Sequence, residues 1–314
     1  MATYLVTGGA GFIGTHLVRA LVARGERVRV LDNFITGLRQ NLEPLVERIQ
    51  LLEGSVDDSS RVEQAMEGVD YVLHQAALGS VPRSVDDPPA THAANLTGTL
   101  VLLDAARRAR VHRFVYASSS SVYGDSAQLP KVETMPLLPL SPYAVTKLGG
   151  ELYCKVFHQI YGLETVSLRY FNVFGPGQRP DSEYAAVLPR FMAAALRGEP
   201  PVIYGDGRQS RDFTYVDNVI QANLLSCTAS ASAAGEAFNI ACGESVTLLD
   251  LLREMGALTG RSLEPRFEPV RKGDVKDSLA SIQKASDLLG YRPDISFREG
   301  LRRTLLSAGL LQPS

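Results

Sequence analysis

The feature that most constrains this chain is a glycine-rich turn between a short, mainly apolar run and a helical pattern near its beginning. Residues 4–7 form the run, glycines follow at positions 8, 11 and 14, and apolar residues then recur at 17, 21 and 22. This order predicts a strand, a tight turn and a helix. Glycines let the backbone approach a pyrophosphate, and the N-terminus of the helix then faces the anion. The turn therefore predicts a dinucleotide-binding unit.

The second predicted strand selects the dinucleotide. Residues 28–31 are a further apolar run, and the run ends at Asp32. A carboxylate at this place accepts hydrogen bonds from the hydroxyls of an adenosine ribose and repels a 2′-phosphate. We therefore predict that the cofactor is NAD and not NADP.

Strand and helix patterns then alternate along the first half of the chain. Strands are predicted around 49–52, 71–73 and 113–117, and helices through 62–66 and over 95–108. Repeated βα units predict an α/β fold, a Rossmann doubly wound parallel sheet with ligands at the carboxyl ends of its strands. The alternation breaks after residue 175, which predicts a smaller α/β C-terminal substrate domain. We place the division at 1–172 and 173–314, with short segments crossing between the two.

Two predicted strands end in residues suited to a binding site. The strand at 71–73 is followed by His74, Gln75 and two alanines, 76 and 77, whose small side chains suit a strand end that meets the cofactor. His74 is expected to be a structural hydrogen-bonding residue, because no second ligand lies at metal spacing. Four serines, 118–121, follow the strand at 113–117, and their hydroxyls could hold an oxygen of a substrate.

The helix predicted over 143–160 carries the reactive pair, Tyr143 and Lys147. Four-residue spacing places both side chains on one helix face. Lowering the pKa of a tyrosine from about 10 by about 3 units takes about 4 kcal/mol, and a lysine cation at about 4 Å supplies that order of energy at a dielectric constant near 20. We therefore predict a tyrosine base of lowered pKa. An apolar stripe on the same helix, Leu148, Leu152, Val156 and Ile160, is expected to face the core.

Composition excludes several other classes of protein. A net charge of −2 argues against a nucleic-acid surface or a polybasic membrane anchor, and no apolar run approaches the roughly 20 residues of a membrane span. Three widely spaced cysteines fit neither a disulfide framework nor a metal knuckle. We expect reduced thiols, no metal and a cytoplasmic protein.

These stretches together resemble the extended short-chain dehydrogenase/reductases, specifically the NAD-dependent sugar-nucleotide epimerases, over essentially the whole chain. The matching motifs are TGGAGFIG (7–14), HQAA (74–77), SSSSVYG (118–124), SPYAVTK (141–147), LRYFNVFGPGQ (168–178), YGDGRQSRDFTYVDN (204–218) and RKGDVKDSLASIQKA (271–285). Two narrower stretches, 77–84 and 184–187, resemble the UDP-N-acetylglucosamine 4-epimerases.

The resemblance implies a role for each matched position. Tyr143 would be the base, Lys147 its electrostatic partner and a ribose ligand, and Ser119 a partner of the sugar 4-hydroxyl. The cofactor would be held by Gly8, Gly11, Phe12, Ile13, Gly14, Asp32, Asn33, Val56, Gln75, Ala76, Ala77, Asn95, Tyr143, Lys147 and Tyr170. The UDP-sugar would be held by Gly79, Ser80, Ser119, Ser120, Ser121, Tyr143, Asn172, Gln178, Ala186, Val187, Tyr204, Arg211, Arg271, Asp274 and Ser278. One departure is Ser55, where many relatives carry an aspartate that helps to fix the adenine.

The chemistry of these residue types agrees with those roles. Arginines such as Arg211 and Arg271 can bind diphosphate oxygens through a two-pronged guanidinium, and Asp274 can accept hydrogen bonds from a ribose. The implied reaction is 4-epimerisation of a UDP-hexose through a transient 4-keto sugar. The 4,6-dehydratases carry an acid–base carboxylate pair where this chain has Ser120 and Ser121, so elimination lacks its acid and base.

Three readings of the substrate and function remain open from the sequence. The small side chain of Ser278 leaves room for an N-acetyl group, which favours UDP-GlcNAc and UDP-GalNAc over UDP-glucose and UDP-galactose. A UDP-glucuronate 4-epimerase is the alternative, with Arg83 as the basic residue facing C6. The third hypothesis comes from a different functional class: a non-catalytic regulator that binds NAD. The family resemblance also implies a homodimer formed through the helices at 95–108 and 143–160.

Overall fold

The computed structural model describes residues 1–178, 186–270 and 276–312. The helices are α1 Phe12–Ala23, α2 Ser59–Met66, α3 Val81–Asp86, α4 Pro88–His92, α5 Gly98–Ala109, α6 Pro142–Tyr161, α7 Val187–Arg197, α8 Val216–Thr228, α9 Leu248–Thr259, α10 Gln283–Leu289 and α11 Phe297–Ser307. The strands are β1 Thr3–Thr7, β2 Arg27–Asp32, β3 Gln50–Glu53, β4 Tyr71–His74, β5 Arg113–Ser119, β6 Thr165–Tyr170, β7 Val173–Phe174, β8 Val202–Tyr204, β9 Ser210–Arg211, β10 Thr214–Tyr215, β11 Glu236–Ile240, β12 Val246–Thr247 and β13 Arg266–Glu268.

The main sheet has seven strands in the order β3-β2-β1-β4-β5-β6-β11. Every neighbouring pair in this sheet is parallel. The strand order reverses between β1 and β4, and in open α/β sheets ligands bind at the carboxyl ends of the strands beside such a reversal. The predicted doubly wound parallel sheet is therefore confirmed, and the switch point brings the predicted site motifs to one edge.

Helices cover both faces of the main sheet. On one face α1 and α8 contribute to a large apolar cluster with β1, β5 and β6. On the other face α2, α5 and α6 pack against the alternate side chains of the same strands. Because both faces are covered, β1 and β6 are buried along their whole length.

The second half of the chain forms smaller elements, with one return to the main sheet. Three two-stranded sheets pair β7 with β10, β9 with β12 and β8 with β13. Strand β11, from the same half, pairs in parallel with β6 at the edge of the main sheet. The division of the chain into domains at residue 172 stays a prediction.

Three of the four residues in the apolar stripe on α6 face solvent, so the predicted orientation toward the core is wrong for them. The fourth, Leu148, is half-buried against a small apolar cluster. Leu152, Val156 and Ile160 are 57%, 40% and 67% exposed. The opposite face of α6, which includes Ala144, Lys147 and Cys154, is the buried one. Spacing alone placed a stripe on one face of the helix but could not tell which face the sheet covers.

Among the helices of the described segments, none combines the length and apolar content needed to cross a bilayer.

Candidate active site

The glycine turn between β1 and α1 has the shape of a diphosphate cradle. Gly8 has φ of +68°, and a Cβ there would lie 2.7 Å from the backbone nitrogen of Ala76 at the end of β4. A Cβ on Gly14 would overlap the carbonyl oxygen of Gly8. The first amide groups of α1 have no partners within the helix, and its first turn carries no acidic residue. Small residues, close backbone and open amides fit an anionic dinucleotide, with Phe12 and Ile13 in the first turn.

Asp32 ends β2 beside this turn. Its Oδ2 accepts from the backbone N–H of Ala10 at 2.9 Å, and its Oδ1 accepts from that of Phe34 at 2.8 Å. Burial raises the pKa of Asp32, and these two hydrogen bonds oppose the rise. Each carboxylate oxygen can accept a second hydrogen bond, so the fixed carboxylate fits the predicted role of ribose ligand.

Asn33 and Ser55 lie side by side at the next strand end. The Asn33 side chain donates to Ser55 Oγ at 3.3 Å and accepts from the backbone N–H of Ile35 at 3.2 Å. Val56 is buried against Gly98. Ser55, at the position where the resemblance implies an aspartate, therefore holds the side chain of Asn33.

His74 is a hydrogen-bonding residue of the core, as expected. Thr99 donates its hydroxyl to the carbonyl of Asn95 at 2.5 Å, so it accepts from His74 Nε2 at 2.9 Å. Nδ1 then accepts from the Thr7 hydroxyl at 2.7 Å. Burial, and secondarily the charge of Lys147, lower the pKa of His74 to about 3. The ring is therefore neutral at ordinary pH and joins β1, β4 and α5.

Gln75 and Tyr170 meet at the ends of β4 and β6. The Gln75 amide donates to the Tyr170 hydroxyl at 3.1 Å and to Asn223 Oδ1 at 3.0 Å. Asn223, on α8, also donates to the Tyr170 hydroxyl at 2.8 Å. Burial raises the pKa of Tyr170 well above its usual range. These groups form a neutral polar patch, and Ala76 and Ala77 continue the chain beside it.

Asn95 lies in a π-helical turn, residues 93–97, between α4 and α5. Its Oδ1 accepts from the backbone N–H of Leu78 at 2.7 Å, and its Nδ2 donates to Thr146 Oγ1 at 3.2 Å. Asn95 is buried. The structure therefore gives its side chain partners in the loop after β4 and on α6, whereas the resemblance implied a contact with the cofactor.

Tyr143 and Lys147 lie on the face of α6 that meets the end of β5. Burial raises the pKa of Tyr143, and a hydrogen bond with the side chain of Ser119 opposes that rise. Lys147 donates from Nζ to the carbonyl of Ala117 at 2.7 Å, and Nζ lies 5.9 Å from the centre of the Tyr143 ring. The expected lowering of the tyrosine pKa by the lysine is therefore not found, because the ammonium is held by a strand carbonyl and burial dominates.

Burial also acts on Lys147. It lowers the pKa of the ammonium to about 8, and the charge of Glu151 opposes the shift. The lysine thus remains mostly charged at neutral pH. The ammonium of Lys147, the hydroxyl of Ser119 and the phenol of Tyr143 thus lie together at the end of β5. Such a set of groups can move a proton to and from a substrate hydroxyl.

The serines after β5 complete this edge. Ser119 Oγ accepts from the backbone N–H of Ser121 at 3.2 Å. Ser121 Oγ is buried and makes no hydrogen bond within the described part of the chain, and Ser120 is half-buried. An unpartnered hydroxyl beside Ser119 fits a site that takes up a polyhydroxylated ligand.

The predicted substrate residues near Asn172 are brought together. Asn172 has φ of +33°, which few residues other than glycine adopt. Its Nδ2 donates to Ser278 Oγ at 3.3 Å and to the carbonyl of Asp212 at 3.2 Å. Gln178 donates to the carbonyl of Val173 at 3.2 Å. Ser278 therefore orients Asn172, while its role in leaving space for an N-acetyl group stays a prediction.

The remaining substrate positions are spread over several elements. Arg211 donates to the carbonyls of Ser210 and Lys276 at 2.8 and 3.0 Å, and the ring of Tyr204 lies 5.2 Å from the Arg190 guanidinium. Ala186 precedes α7, which Val187 begins, and Gly79 and Ser80 precede α3, which Ser80 caps. Arg271 and Asp274 lie outside the described residues.

Three residues at this site were missed by the sequence analysis: Glu151, Arg169 and Asn223. All three are buried, and Glu151 and Arg169 form an ion pair at 2.8 Å. A glutamate four residues after Lys147 was the available signal, since it falls on the same helix face.

Comparisons with known proteins show the family to which this chain belongs. The sequence model of the NAD dependent epimerase/dehydratase family matches residues 4–241. The UDP-glucose 4-epimerase of Mycolicibacterium smegmatis is 36% identical over 305 residues, which cover 96% of each protein.

Two solved structures have the same overall fold. The UDP-N-acetylglucosamine 4-epimerase from Methanobrevibacter ruminantium M1, in complex with UDP-N-acetylmuramic acid, gives a TM-score of 0.92 at 41% identity over 97% of each chain. The UDP-glucuronic acid 4-epimerase from Bacillus cereus, in complex with UDP-glucuronic acid and NAD, gives a TM-score of 0.90 at 34% identity, covering 98% of this chain and 99% of that one.

Proposed function

Because this chain belongs to the NAD dependent epimerase/dehydratase family, we propose that it interconverts the 4-epimers of a UDP-hexose, with UDP-GlcNAc and UDP-GalNAc as the preferred pair. The observation that carries the proposal is the convergence of Ser119, Tyr143 and Lys147 at the end of β5, on the same edge of the parallel sheet as the glycine turn. The two positions after Ser119 are serines, which leaves elimination without an acid–base pair.

In this proposal Tyr143 moves the proton. Its phenol oxygen takes the proton of the sugar 4-hydroxyl and later returns a proton to the oxygen of the 4-keto sugar. When bound, NAD supplies the acceptor and donor of hydride for C4. Ser119 hydrogen-bonds the phenol, and this contact favours the ionised form of Tyr143 against the effect of burial. Anchoring of the UDP moiety lets the hexose present either face.

The cofactor in this proposal is held by residues whose fit is described above. Gly8, Gly11 and Gly14 would cradle the diphosphate, and Asp32 would accept hydrogen bonds from the adenosine ribose. Lys147, on α6, would hydrogen-bond the second ribose, as the family resemblance implies. The carboxylate of Asp32 disfavours a 2′-phosphate, which supports NAD as the cofactor.

The direct test is incubation of the purified protein with UDP-GlcNAc and chromatographic detection of UDP-GalNAc. Tyr143→Phe is expected to keep the fold and to lose roughly 10²- to 10⁴-fold in kcat, the range for one acid–base group. If the intact protein interconverts no UDP-hexose, the proposed function is wrong. NAD retained without any turnover would then favour the non-catalytic regulator.

Ser278 supports the choice of an N-acetylated substrate. Its small side chain lies against Asn172, so a larger one would occupy space beside the proposed sugar site. Ser278→Tyr is expected to lower kcat/KM for UDP-GlcNAc at least 10-fold more than for UDP-glucose, a difference of about 1.4 kcal/mol. The exposed Ser262→Tyr is the matched control and should change neither. Equal losses on both substrates would remove Ser278 as the determinant.

A second candidate function is 4-epimerisation of UDP-glucuronate. Arg83 lies half-buried on α3, directly after the loop that follows β4. A guanidinium at that edge suits a carboxylate at C6 of a hexose. Formation of UDP-galacturonate from UDP-glucuronate, faster than conversion of UDP-GlcNAc, would favour this candidate over the first.

We also propose that the active form is a homodimer. Leu152, Val156 and Ile160 make an exposed apolar stripe along α6, and α5 packs beside that helix. Contiguous apolar surface of this kind marks an interaction site more often than a free surface. A second copy of this chain fits, because the family resemblance implies dimers through these two helices.

A further inference from the structure

The end of β5 is joined to α6 by three contacts in a row. Consecutive strand residues meet helix residues spaced by four: Ala117 with Lys147, Ser118 with Glu151, and Ser119 with Tyr143. Ser118 donates its hydroxyl to Glu151 Oε1 at 2.5 Å. Two of the three contacts belong to the proposed proton-transfer site, and the third uses a side chain to which the proposed function assigns nothing.

Glu151 is itself held on the sheet by Arg169. The guanidinium donates from Nε to Oε1 at 2.9 Å and from Nη2 to Oε2 at 2.8 Å, and both side chains are buried. Arg169 on β6 is the register partner of Ser118 on β5. The carboxylate therefore lies over two neighbouring strands and ties both to α6.

Arg169 extends the connection beyond the sheet edge. Its Nη1 donates to the Tyr123 hydroxyl at 2.8 Å, which donates to Asn239 Oδ1 at 2.7 Å. Asn239 lies on β11. The strand that carries Ser119, the helix that carries Tyr143 and the edge strand from the second half of the chain thus share one buried polar network.

We propose that Glu151 is a positioning residue of the active site, which holds Ser119 and Lys147 in register with Tyr143. The proposal rests on the proposed function. A buried ion pair is weak support for stability, since apolar residues of similar volume pack as well or better. The pair of Glu151 and Arg169 joins the sheet to α6, and the reactive groups lie on β5 and α6. We therefore explain the pair by the geometry that it fixes at the active site.

The charge of Glu151 also acts on Lys147. Around the ammonium lie Tyr143 and Glu151 on α6, Tyr116 on β5 and His74 on β4. Glu151 is the carboxylate in this group, and its charge raises the lysine pKa against the effect of burial. Removal of the charge should therefore let Lys147 lose its proton at a lower pH.

The experiment compares Ser118→Ala, Glu151→Gln and the double variant Glu151→Met/Arg169→Met with the wild type. The matched control is Glu164→Gln, which removes a carboxylate from an arginine, Arg113, at the opposite end of β5. One readout is titration of Lys147 by NMR in protein labelled at the lysine Cε carbons. The chain has six lysines, and Lys147→Arg assigns the signal. The other readout is kcat and KM for whichever UDP-hexose the wild type converts.

We expect Glu151→Gln to lower the Lys147 titration midpoint by about one pH unit. Ser118→Ala and the double variant should fold, because the first keeps the ion pair of Glu151 and Arg169 and the second removes both of its charges. Both should lose roughly 10- to 100-fold in kcat with little change in KM. Glu164→Gln should match the wild type in both readouts.

Wild-type kcat in Ser118→Ala and in the double variant would overturn the proposal, and so would an unshifted Lys147 titration in folded Glu151→Gln. If Glu151→Gln does not fold, the other two variants decide. A wild type inactive on every UDP-hexose would end the proposed function instead, while the titration would still report whether Glu151 acts on Lys147.

Discussion

At the scale of single residues, the site is organised by burial as much as by charge. Burial raises the pKa of Tyr143 and lowers the pKa values of Lys147 and His74. Each shift favours the neutral form. The hydrogen bond from Ser119 and the charge of Glu151 act in the opposite direction, so the proton-transfer groups depend on a few specific contacts.

The buried histidine leads to a prediction about acid stability. His74 has a pKa of about 3 in the folded protein against 6.5 in the unfolded chain, so between these values the unfolded chain binds more protons. Stability is therefore retained above pH 6.5 and lost as the pH falls. From pH 7 to 5 the loss in free energy of unfolding should be about 2 kcal/mol.

Urea unfolding of the wild type and of His74→Gln at the two pH values measures this contribution. The variant should lose about 2 kcal/mol less than the wild type over the same interval. Asp212 has a pKa raised by burial to about 6 and acts in the opposite sense, but it is present in both proteins and cancels in the comparison. Identical losses would mean that His74 is not the acid-sensitive group.

Residue roles that depend on local pattern could be predicted from the sequence, and those that depend on distant pairing could not. The glycines and Asp32 follow from a strand, a turn and a second strand close in sequence. The pairing of Glu151 with Arg169 spans 18 residues and two elements, and no periodicity marks which arginine a buried glutamate will meet. The contacts of Asn223 with Gln75 and Tyr170 also join elements that are distant in sequence.

At the scale of elements, α6 determines the geometry of the site because it lies unusually close to β5. Gly150 faces Tyr116, and a Cβ at Gly150 would overlap the tyrosine hydroxyl. The neighbouring Gly149 faces the flexible end of Leu96, at 2.9 Å from an added Cβ. Close approach lets Lys147 reach the carbonyl of Ala117.

This pair of glycines gives an element-scale prediction. Gly150→Ala should lower the free energy of unfolding by up to about 2 kcal/mol, since overpacking costs about 1–3 kcal/mol and helix propensity returns about 1 kcal/mol. Gly149→Ala is the matched control and should be neutral or stabilising. Equilibrium denaturation of both variants tests the prediction, and equal stabilities would show that α6 can move away from β5 without cost.

The long helical region before β5 shows where element prediction reached its limit. The sequence predicted one helix over 95–108, whereas the structure has α4, a π-helical turn at 93–97 and α5. An apolar pattern indicates which face of a helix is buried, but it does not reveal the extra residue that makes one turn π-helical. The insertion is where Asn95 reaches Leu78 and Thr146, and such turns are frequent at functional sites.

At the scale of the whole molecule, the alternation of strands and helices was enough to predict the parallel main sheet, while the active site at its carboxyl edge stays a prediction. The seventh strand, β11, could not be predicted, because it joins the sheet from the far half of the chain after the alternation has ended. Through Asn239 this strand connects with Tyr123 and Arg169. Hydrogen bonds therefore connect the two halves of the chain close to the end of β5, where the proposed site lies.

The exposed stripe on α6 gives the prediction for the whole assembly. If Leu152, Val156 and Ile160 pack against a second copy, a charge placed among them would be buried without a partner, which costs several kcal/mol. Leu152→Glu should therefore shift the protein from dimer to monomer at micromolar concentration, as measured by sedimentation velocity. The matched control is Leu196→Glu on α7, a leucine 53% exposed where Leu152 is 57% exposed. A dimeric Leu152→Glu variant, or a monomeric wild type, would show that the stripe is not the contact between copies. Because the same helix carries Tyr143 and Lys147 on its opposite face, a dimer at this stripe would bring two active sites to either side of one helical interface.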